Sequence, residues 1–246
     1  MPPERSPHES PLPVGPSLPA TLSGRVLFAL RPAAAPKIAL PLVFGMTAAL
    51  AAGGRIDPRG VAGALVFGAL DLAFIVLLND FADQRVDAGR RRLFPGSSPK
   101  TIPDGVLSSR AVLGGALLAG GAALGASLLT SVGLGRTGLL PLAVAALGLM
   151  VAYSVRPIAL NYRGGGEVLE ALGVGGLLPA YAAVAAAGVP PAALWPPLLG
   201  LIGLAHASAV GSGLMDEESD RAFGKRTVVT SLGARRAARV AEGSLA

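Results

Sequence analysis

The stretch Leu77-Leu-Asn-Asp-Phe-Ala-Asp-Gln-Arg-Val-Asp87 lies where a long apolar segment gives way to charged residues. Its three acids, Asp80, Asp83 and Asp87, are spaced i, i+3 and i+7, so a helix would carry all three carboxylates on one face. Clustered carboxylates repel one another unless cations lie between them. The stretch therefore predicts a cation-binding cluster at the end of a helix.

A second acidic stretch, Met215-Asp-Glu-Glu-Ser-Asp-Arg-Ala-Phe-Gly-Lys-Arg-Thr227, ends another apolar segment. Asp216 and Asp220 are four residues apart, so a helix also places them on one face. Arg221, Lys225 and Arg226 follow these acids within the stretch and are expected to meet phosphate oxygens. Because Mg²⁺ binds carboxylate oxygens and bridges them to phosphates, the two stretches together predict a metal-bridged diphosphate site at a membrane surface.

The composition indicates an integral membrane protein. Of 246 residues, 52% are hydrophobic and only 15% are charged, whereas a soluble domain has about a quarter charged residues. The lack of Cys excludes a disulfide framework and a thiolate nucleophile, and two histidines do not favour a His-based metal site. The net charge of +6 comes from basic residues in loops between apolar segments, and aromatics are 4%, so no nucleic-acid partner is expected.

Six apolar segments each have about the ~20 residues that span a lipid bilayer. They run approximately over 36–54, 60–79, 111–132, 137–155, 168–188 and 194–215. We expect an all-α, polytopic membrane helical bundle of about six transmembrane helices over residues 23–246. Residues 1–22, rich in Pro and Ser, are expected to form a disordered tail. Within the third segment, Gly114-Gly115, Gly120-Gly121 and Gly125 predict close helix packing.

The distribution of basic residues predicts the orientation of the chain. With alternate loops assigned to opposite sides, eighteen of the 21 lysines and arginines fall on the side of the N-terminus and of both acidic stretches. Because positive residues are enriched in cytoplasmic loops, this side is expected to be the cytoplasm of a bacterial-type inner or plasma membrane. The N-terminus and both acidic stretches would then be cytoplasmic.

Several motifs occur in a distinctive order along the chain. They are Asn79-Asp-x-x-Asp-x-x-x-Asp87, Tyr153-Ser-x-x-Pro157, Arg163-Gly-Gly-Gly-Glu167, Gly175-Gly-Leu-Leu-Pro179 and Asp216-x-x-x-Asp220-Arg-x-x-Gly-Lys-Arg-Thr227. In this combination they resemble the motifs of the UbiA-type intramembrane prenyltransferases. The resemblance extends over most of residues 25–235, and it implies a helical bundle with a central cavity open to both cytoplasm and lipid.

The resemblance also implies roles for individual residues. The set expected to hold a prenyl diphosphate through Mg²⁺, and so to act in catalysis, is Asp80, Asp83, Asp87, Asp216 and Asp220. The expected substrate-binding residues include the two basic residues near the end of the second stretch. They are Asn79, Lys100, Arg31, Tyr153, Ser154, Lys225 and Arg226. The implied function is Mg²⁺-dependent transfer of a prenyl group from a polyprenyl diphosphate to an aromatic acceptor.

The resemblance places the function in the biosynthesis of a quinone or a related lipid. The loop at Gly166-Glu167 and the ending of the second stretch look more like the dihydroxynaphthoate (menaquinone-type) branch than the 4-hydroxybenzoate branch. Members of the family typically have about nine spans, whereas this sequence stops at Ala246. We therefore expect a C-terminally incomplete membrane domain, or a partner chain that supplies the missing helices.

Two other functions are weighed against the transferase. A CDP-alcohol phosphotransferase also uses membrane Asp clusters, but its Asp-Gly-x-x-Ala-Arg run is absent. A transporter or channel subunit with a cation site would need acidic residues near mid-membrane, and only Asp71 is deep. Asp71 is either a cavity residue or a hydrogen-bonded core residue. His206, in the sixth segment, is expected to be a packing residue.

Overall fold

The computed structural model describes residues 18–94 and 98–245, and all regular elements in these ranges are helical. The α-helices are α1 (Leu22–Leu30), α2 (Pro36–Ala51), α3 (Pro58–Leu93), α4 (Ser109–Leu134), α5 (Leu139–Ser154), α6 (Leu160–Arg163), α7 (Gly166–Ala171), α8 (Leu178–Ala187), α9 (Trp195–Ala222), α10 (Val228–Leu232) and α11 (Ala234–Gly243). A π-helical segment, Leu172–Leu177, joins α7 to α8. The first 17 residues of the expected tail lie outside the described residues, and α1 begins at Leu22, the last residue of that tail.

Each of the six apolar segments is helical. Four helices in the described ranges are long and apolar enough to cross a membrane: α3, α4, the run Gly166–Ala187 and the run Pro191–Ala222. The pair α1–α2, bent by 50°, passes the same test when its two helices are taken together. Helix α5 is apolar but has 16 residues, which gives it a length of about 24 Å. The prediction of an all-α, polytopic membrane bundle is confirmed.

The helix ends follow from local sequence. Asp57 caps α3 because its side chain accepts a hydrogen bond from the Arg59 N–H, and Pro58 occupies the first turn, where no donor is needed. This contact with Arg59 holds the pKa of Asp57 below its usual value. At its other end α3 runs to Leu93, well beyond the apolar segment. The whole first acidic stretch therefore lies on one continuous helix.

Helices α3 and α4 pack against each other through small residues. A Cβ on Gly120 would lie 2.9 Å from the Phe74 ring, and one on Gly115 would lie 3.1 Å from the Leu77 side chain. Two of the glycines expected to mediate packing therefore do so. Gly114, Gly121 and Gly125 have no neighbour within 4 Å in the described structure, because their helix face points away from α3.

Helix α9 packs against the π-helical segment and against the C-terminal helices. A Cβ on Gly175 would lie 2.5 Å from the Cα of Ile202, so only glycine allows this backbone approach. Helices α10 and α11 fold back along α9, where Val210, Val229 and Ala237 form a small buried cluster. His206 Nδ1 lies 2.8 Å from the Ser244 hydroxyl in this contact, so His206 is a satisfied packing residue, as expected.

Candidate functional site

The three acids of the first stretch lie on one buried face of α3. Asp80, Asp83 and Asp87 are 3%, 5% and 8% exposed. Burial of ionised carboxylates is costly unless each has a charged or hydrogen-bonding partner. Each of the three has such a partner, and each partner comes from a different part of the chain.

Asp80 is held by a residue from each of two segments. The Arg31 guanidinium forms an ion pair with one carboxylate oxygen, and the Thr101 hydroxyl donates a hydrogen bond to the other. Arg31 ends α1 in the left-handed backbone conformation, with φ 48°, which is uncommon for a residue with a side chain. The turn between α1 and α2 therefore places this arginine over α3, where the resemblance placed it near the diphosphate.

Asp83 lies at the junction of the two acidic stretches. The Tyr162 hydroxyl donates a hydrogen bond to Oδ1, and Lys225 Nζ lies 3.5 Å from Oδ2. The same lysine is 4.0 Å from Asp220 Oδ1 and lies over the Tyr162 ring, 5.2 Å from its centroid. Lys225 therefore bridges α3 and α9. Burial and the neighbouring Asp83 carboxylate raise the pKa of Tyr162, so its phenol remains a donor.

Asp87 pairs with Lys100, whose Nζ lies 3.0 Å from Oδ1. The loop that carries Lys100 is fixed by Asp104. One Asp104 oxygen accepts the Lys100 backbone N–H at 2.6 Å, and the other accepts from Arg91 of α3 at 3.1 Å. This double contact places Lys100 over Asp87 and the neighbouring Thr101 over Asp80.

The second stretch is less enclosed. Asp216 accepts a hydrogen bond from Arg90 of α3 at 2.9 Å, yet its side chain remains 46% exposed. Arg226 is exposed, and no ion pair joins its side chain to the acids in the part of the chain that the structure describes. The structure thus brings Lys225 into the cluster and leaves Arg226 outside it.

An apolar cavity of about 320 Å³ opens beside the acid cluster. Arg31 and Asn79 line the end nearest the cluster, and Asp71 lines a part deeper along α3. Tyr153 also faces the cavity, and the Ser154 hydroxyl donates to Asn79 Oδ1 at 3.3 Å. Of the predicted substrate-binding residues, Arg31, Asn79 and Tyr153 therefore line the cavity, and Ser154 contacts it through Asn79. The deep acid is a cavity residue, which was one of its two interpretations.

Sequence reasoning missed four residues that build the site. They are Thr101 and Tyr162, which donate to the acids, Asp104, which fixes the Lys100 loop, and Glu167, whose carboxylate accepts the Val228 N–H at 2.6 Å. Glu167 belongs to a motif that was recognised but given no role. Thr101 and Asp104 lie in the loop before α4 and Tyr162 lies in the short helix α6, and nothing in the sequence shows their distance from α3.

The donor set suits a hard divalent cation. All five predicted metal-binding side chains offer carboxylate oxygens, and the neighbouring Asn79 adds an amide oxygen. Across residues 18–94 and 98–245, no three Asp, Glu, His or Cys side chains converge as a ready metal cage. Mg²⁺ is usually bound by one or two carboxylates together with water and substrate phosphates.

Fold and site together define a class of protein: a membrane-embedded helical bundle in which two Asp stretches meet beside an apolar cavity. The model of the UbiA prenyltransferase family matches residues 38–246, and the chain belongs to this family. The prediction of a prenyltransferase is thereby confirmed, and the phosphotransferase and transporter alternatives lose their support. No curated protein sequence matches the chain.

Solved structures of a UbiA homolog from Archaeoglobus fulgidus share the fold. The structure bound to GPP and Mg²⁺ has a TM-score of 0.72 at 20% identity, and it is matched over 89% of this chain and 73% of that one. The structure bound to DMAPP and Mg²⁺ has a TM-score of 0.70 at 19% identity, with the same two coverages. A further structure of the same homolog has a TM-score of 0.68 at 17% identity, over 89% of this chain and 72% of that one.

Proposed function

We propose that this prenyltransferase moves a prenyl group from a polyprenyl diphosphate to an aromatic acceptor, in the biosynthesis of a quinone or a related lipid. The observation that carries the proposal is the bridge between the two Asp stretches, in which Lys225 lies 3.5 Å from Asp83 and 4.0 Å from Asp220 beside the cavity. A diphosphate at this point would meet both stretches, while its carbon chain entered the apolar space.

Mg²⁺ is proposed as the cofactor, held by Asp80, Asp83, Asp87, Asp216 and Asp220. When bound, it would supply positive charge that offsets the negative charge of the diphosphate leaving group. The A. fulgidus homolog structures bound to DMAPP or GPP together with Mg²⁺ support this assignment. The oxygen-only donor set described above is the support within this chain.

The basic residues are proposed to stabilise the leaving group. In the transfer, the bond between the prenyl C1 and the diphosphate oxygen breaks, and the diphosphate keeps the electron pair. Arg31, Lys100 and Lys225 surround the acids and can donate to those oxygens as charge develops on them. Such stabilisation is strongest where water is excluded.

The cavity is proposed to hold the reacting carbons. The allylic carbon forms a new bond to the acceptor ring, and the ring then loses the displaced proton to a base. Apolar side chains such as Ile75, Val76 and Met150 line the space and exclude water, which would otherwise capture the allylic cation. Asn79 and Tyr153 line the cavity near the acid cluster, where they would orient the reacting ends of the two substrates.

The proposal includes an orientation and a branch. Both Asp stretches would face the cytoplasm of a bacterial-type membrane, supported by the eighteen basic residues predicted on that side. The menaquinone-type acceptor remains the preferred branch, supported by the sequence of the Gly166-Glu167 loop. The expectation of a partner chain stays a prediction.

A transfer assay tests the proposal. The full chain is purified into lipid nanodiscs and given labelled geranyl diphosphate, Mg²⁺ and either dihydroxynaphthoate or 4-hydroxybenzoate. We expect prenylated product, more with the first acceptor, and loss of product with EDTA that excess Mg²⁺ reverses. The matched control is Asp57→Asn, which keeps a good helix cap far from the cluster. Wild-type protein that forms no prenylated ring with any phenolic acceptor would refute the proposal.

A further inference from the structure

Asp71 is an acid with no partner inside an apolar helix face. The residue is 2% exposed, and its Oδ1 is the one fully buried side-chain oxygen or nitrogen without a hydrogen bond among the described residues. It lies on α3 between Leu70 and Leu72, two turns before the acidic stretch begins. Its situation is the opposite of that of the three acids further along the same helix, each of which has a partner.

Asp71 lines the cavity, so its carboxyl group, for which the described structure shows no hydrogen-bond partner, lies where a ligand in the cavity can meet it. Eight residues separate it from Asn79, so the two lie about 12 Å apart along the helix axis. Both line the same cavity. Between them the wall is formed by apolar residues such as Ile75 and Val76. The cavity lining therefore combines the deep acid with apolar side chains and with the polar residues Arg31, Lys37, Asn79, Tyr153 and Glu170.

Burial of an unpaired carboxyl group is unfavourable in free energy, and a ligand that supplies a matching polar group offsets this penalty. A prenyl chain consists of carbon and hydrogen and supplies none. An aromatic ring with a hydroxyl substituent supplies one donor and one acceptor on an otherwise apolar body. The chemistry of the deep part of the cavity thus suits a hydroxylated ring better than an isoprenoid chain.

We propose that Asp71 binds a hydroxyl group of the aromatic acceptor and so determines which acceptors fit and which end of the ring lies deep in the cavity. This inference rests on the proposed function, because it names the acceptor class for the same cavity. Asp71 is a specificity residue in this role: it touches the acceptor, while the acid cluster near Asn79 holds the diphosphate.

A binding experiment tests the inference without any catalytic step. Equilibrium dialysis with nanodisc-embedded protein compares 1-naphthol with 1-methylnaphthalene, in which a methyl group replaces the hydroxyl. Wild type is expected to bind 1-naphthol on the order of tenfold more tightly, as one hydrogen bond allows. Asp71→Leu should lose this preference, and Asp71→Asn, whose amide oxygen still accepts a hydrogen bond, should keep most of it.

The controls separate a binding role from a structural one. Asp57→Asn removes a carboxylate at the opposite end of α3 and should keep the full preference. Asp71→Asn should unfold at the same midpoint temperature as wild type. Its dissociation constant for geranyl diphosphate with Mg²⁺ should stay within twofold of the wild-type value. An equal preference in wild type and Asp71→Leu would overturn the inference, and so would a loss in Asp71→Asn as large as that in Asp71→Leu.

Two further outcomes show whether the acceptor and the prenyl chain use the same part of the cavity, and whether the hydroxyl site stands without the proposed transfer. Saturating geranyl diphosphate with Mg²⁺ should leave 1-naphthol binding intact, because the two ligands use different parts of the cavity. Competition between them would place Asp71 in the path of the prenyl chain and overturn its assignment to the acceptor. If 1-naphthol preference follows Asp71 but no ring is ever prenylated, the hydroxyl site stands and the proposed transfer fails.

Discussion

The two acidic stretches differ in how the protein holds them. Asp80, Asp83 and Asp87 on α3 are buried, and their partners come from α1, from the loop before α4, from α6 and from the segment after α9. Asp216 on α9 is half exposed and contacts Arg90 of α3. Several segments thus converge on the first stretch, whereas α9, which carries the second, packs mainly against the π-helical segment, α7, α10 and α11.

The largest expected effect is at the first stretch. Asp83→Ala should lower the transfer rate on the order of 10³-fold, because it removes a proposed Mg²⁺ ligand and leaves Lys225 and Tyr162 without their shared partner. Product formation with labelled geranyl diphosphate measures the loss. A loss of less than tenfold would contradict the larger role that burial assigns to the first stretch.

The bridge between the stretches is the second test. Lys225→Met should lower the transfer rate about 100-fold, since it removes a proposed donor to the diphosphate and leaves Asp83 and Asp220 facing each other unscreened. Lys225→Arg, which keeps the charge, should retain more activity. The adjacent Arg226, exposed and outside the cluster, provides the control: Arg226→Met should stay within about twofold. Equal losses at both positions would contradict the bridge.

A smaller effect is expected for a hydrogen bond at the first stretch. Tyr162→Phe should lower the transfer rate about tenfold, the value of one hydrogen bond to a charged group. Because the pKa of Tyr162 is raised above its ordinary value of about 10, the phenol keeps its proton up to pH 9. The ratio of wild-type to variant rates should therefore be constant from pH 7 to pH 9. A ratio that fell over this range would show that the phenol ionises there.

The smallest effect should be at the exposed acid of the second stretch. Asp216→Asn should raise the KM for the prenyl diphosphate about threefold, because the amide still offers an oxygen to the proposed Mg²⁺ and the lost ion pair with Arg90 is only half buried. Initial rates at several diphosphate concentrations measure the change. If Asp216→Asn lowered the transfer rate as much as Asp83→Ala, Asp216 would be as important as the buried acids despite its exposure. The comparison between the two stretches would then be wrong.

The sequence predicts what depends on local periodicity. The spacing of Asp80, Asp83 and Asp87 requires only a continuous helix, and α3 provides it. The partners of these acids could not be predicted because they are distant in sequence: Tyr162 lies 79 residues from Asp83 and Thr101 lies 21 from Asp80. Such contacts depend on how the helices pack.

Neighbouring residues in a loop show the same limit. Lys225 and Arg226 have similar charge and are adjacent in sequence, yet only Lys225 reaches the acids. The turn after α9, with Gly224 at φ 68°, decides which side chain points inward. Likewise Gly120 packs against α3 while Gly121 faces away, because successive residues of a helix point about 100° apart. Composition alone does not show which of them faces a neighbour.

The close approach of Gly175 to Ile202 has a mechanical consequence. The π-helical segment forms part of the cavity wall through Gly173 and Val174, and Ile202 belongs to the helix that ends in the second acidic stretch. No side chain lies between the two backbones at this contact, so a displacement of the cavity wall at Gly175 would displace Ile202 of α9 as well. A larger ligand that widened the cavity would thus shift α9, and with it the carboxylates of Asp216 and Asp220 at the end of that helix.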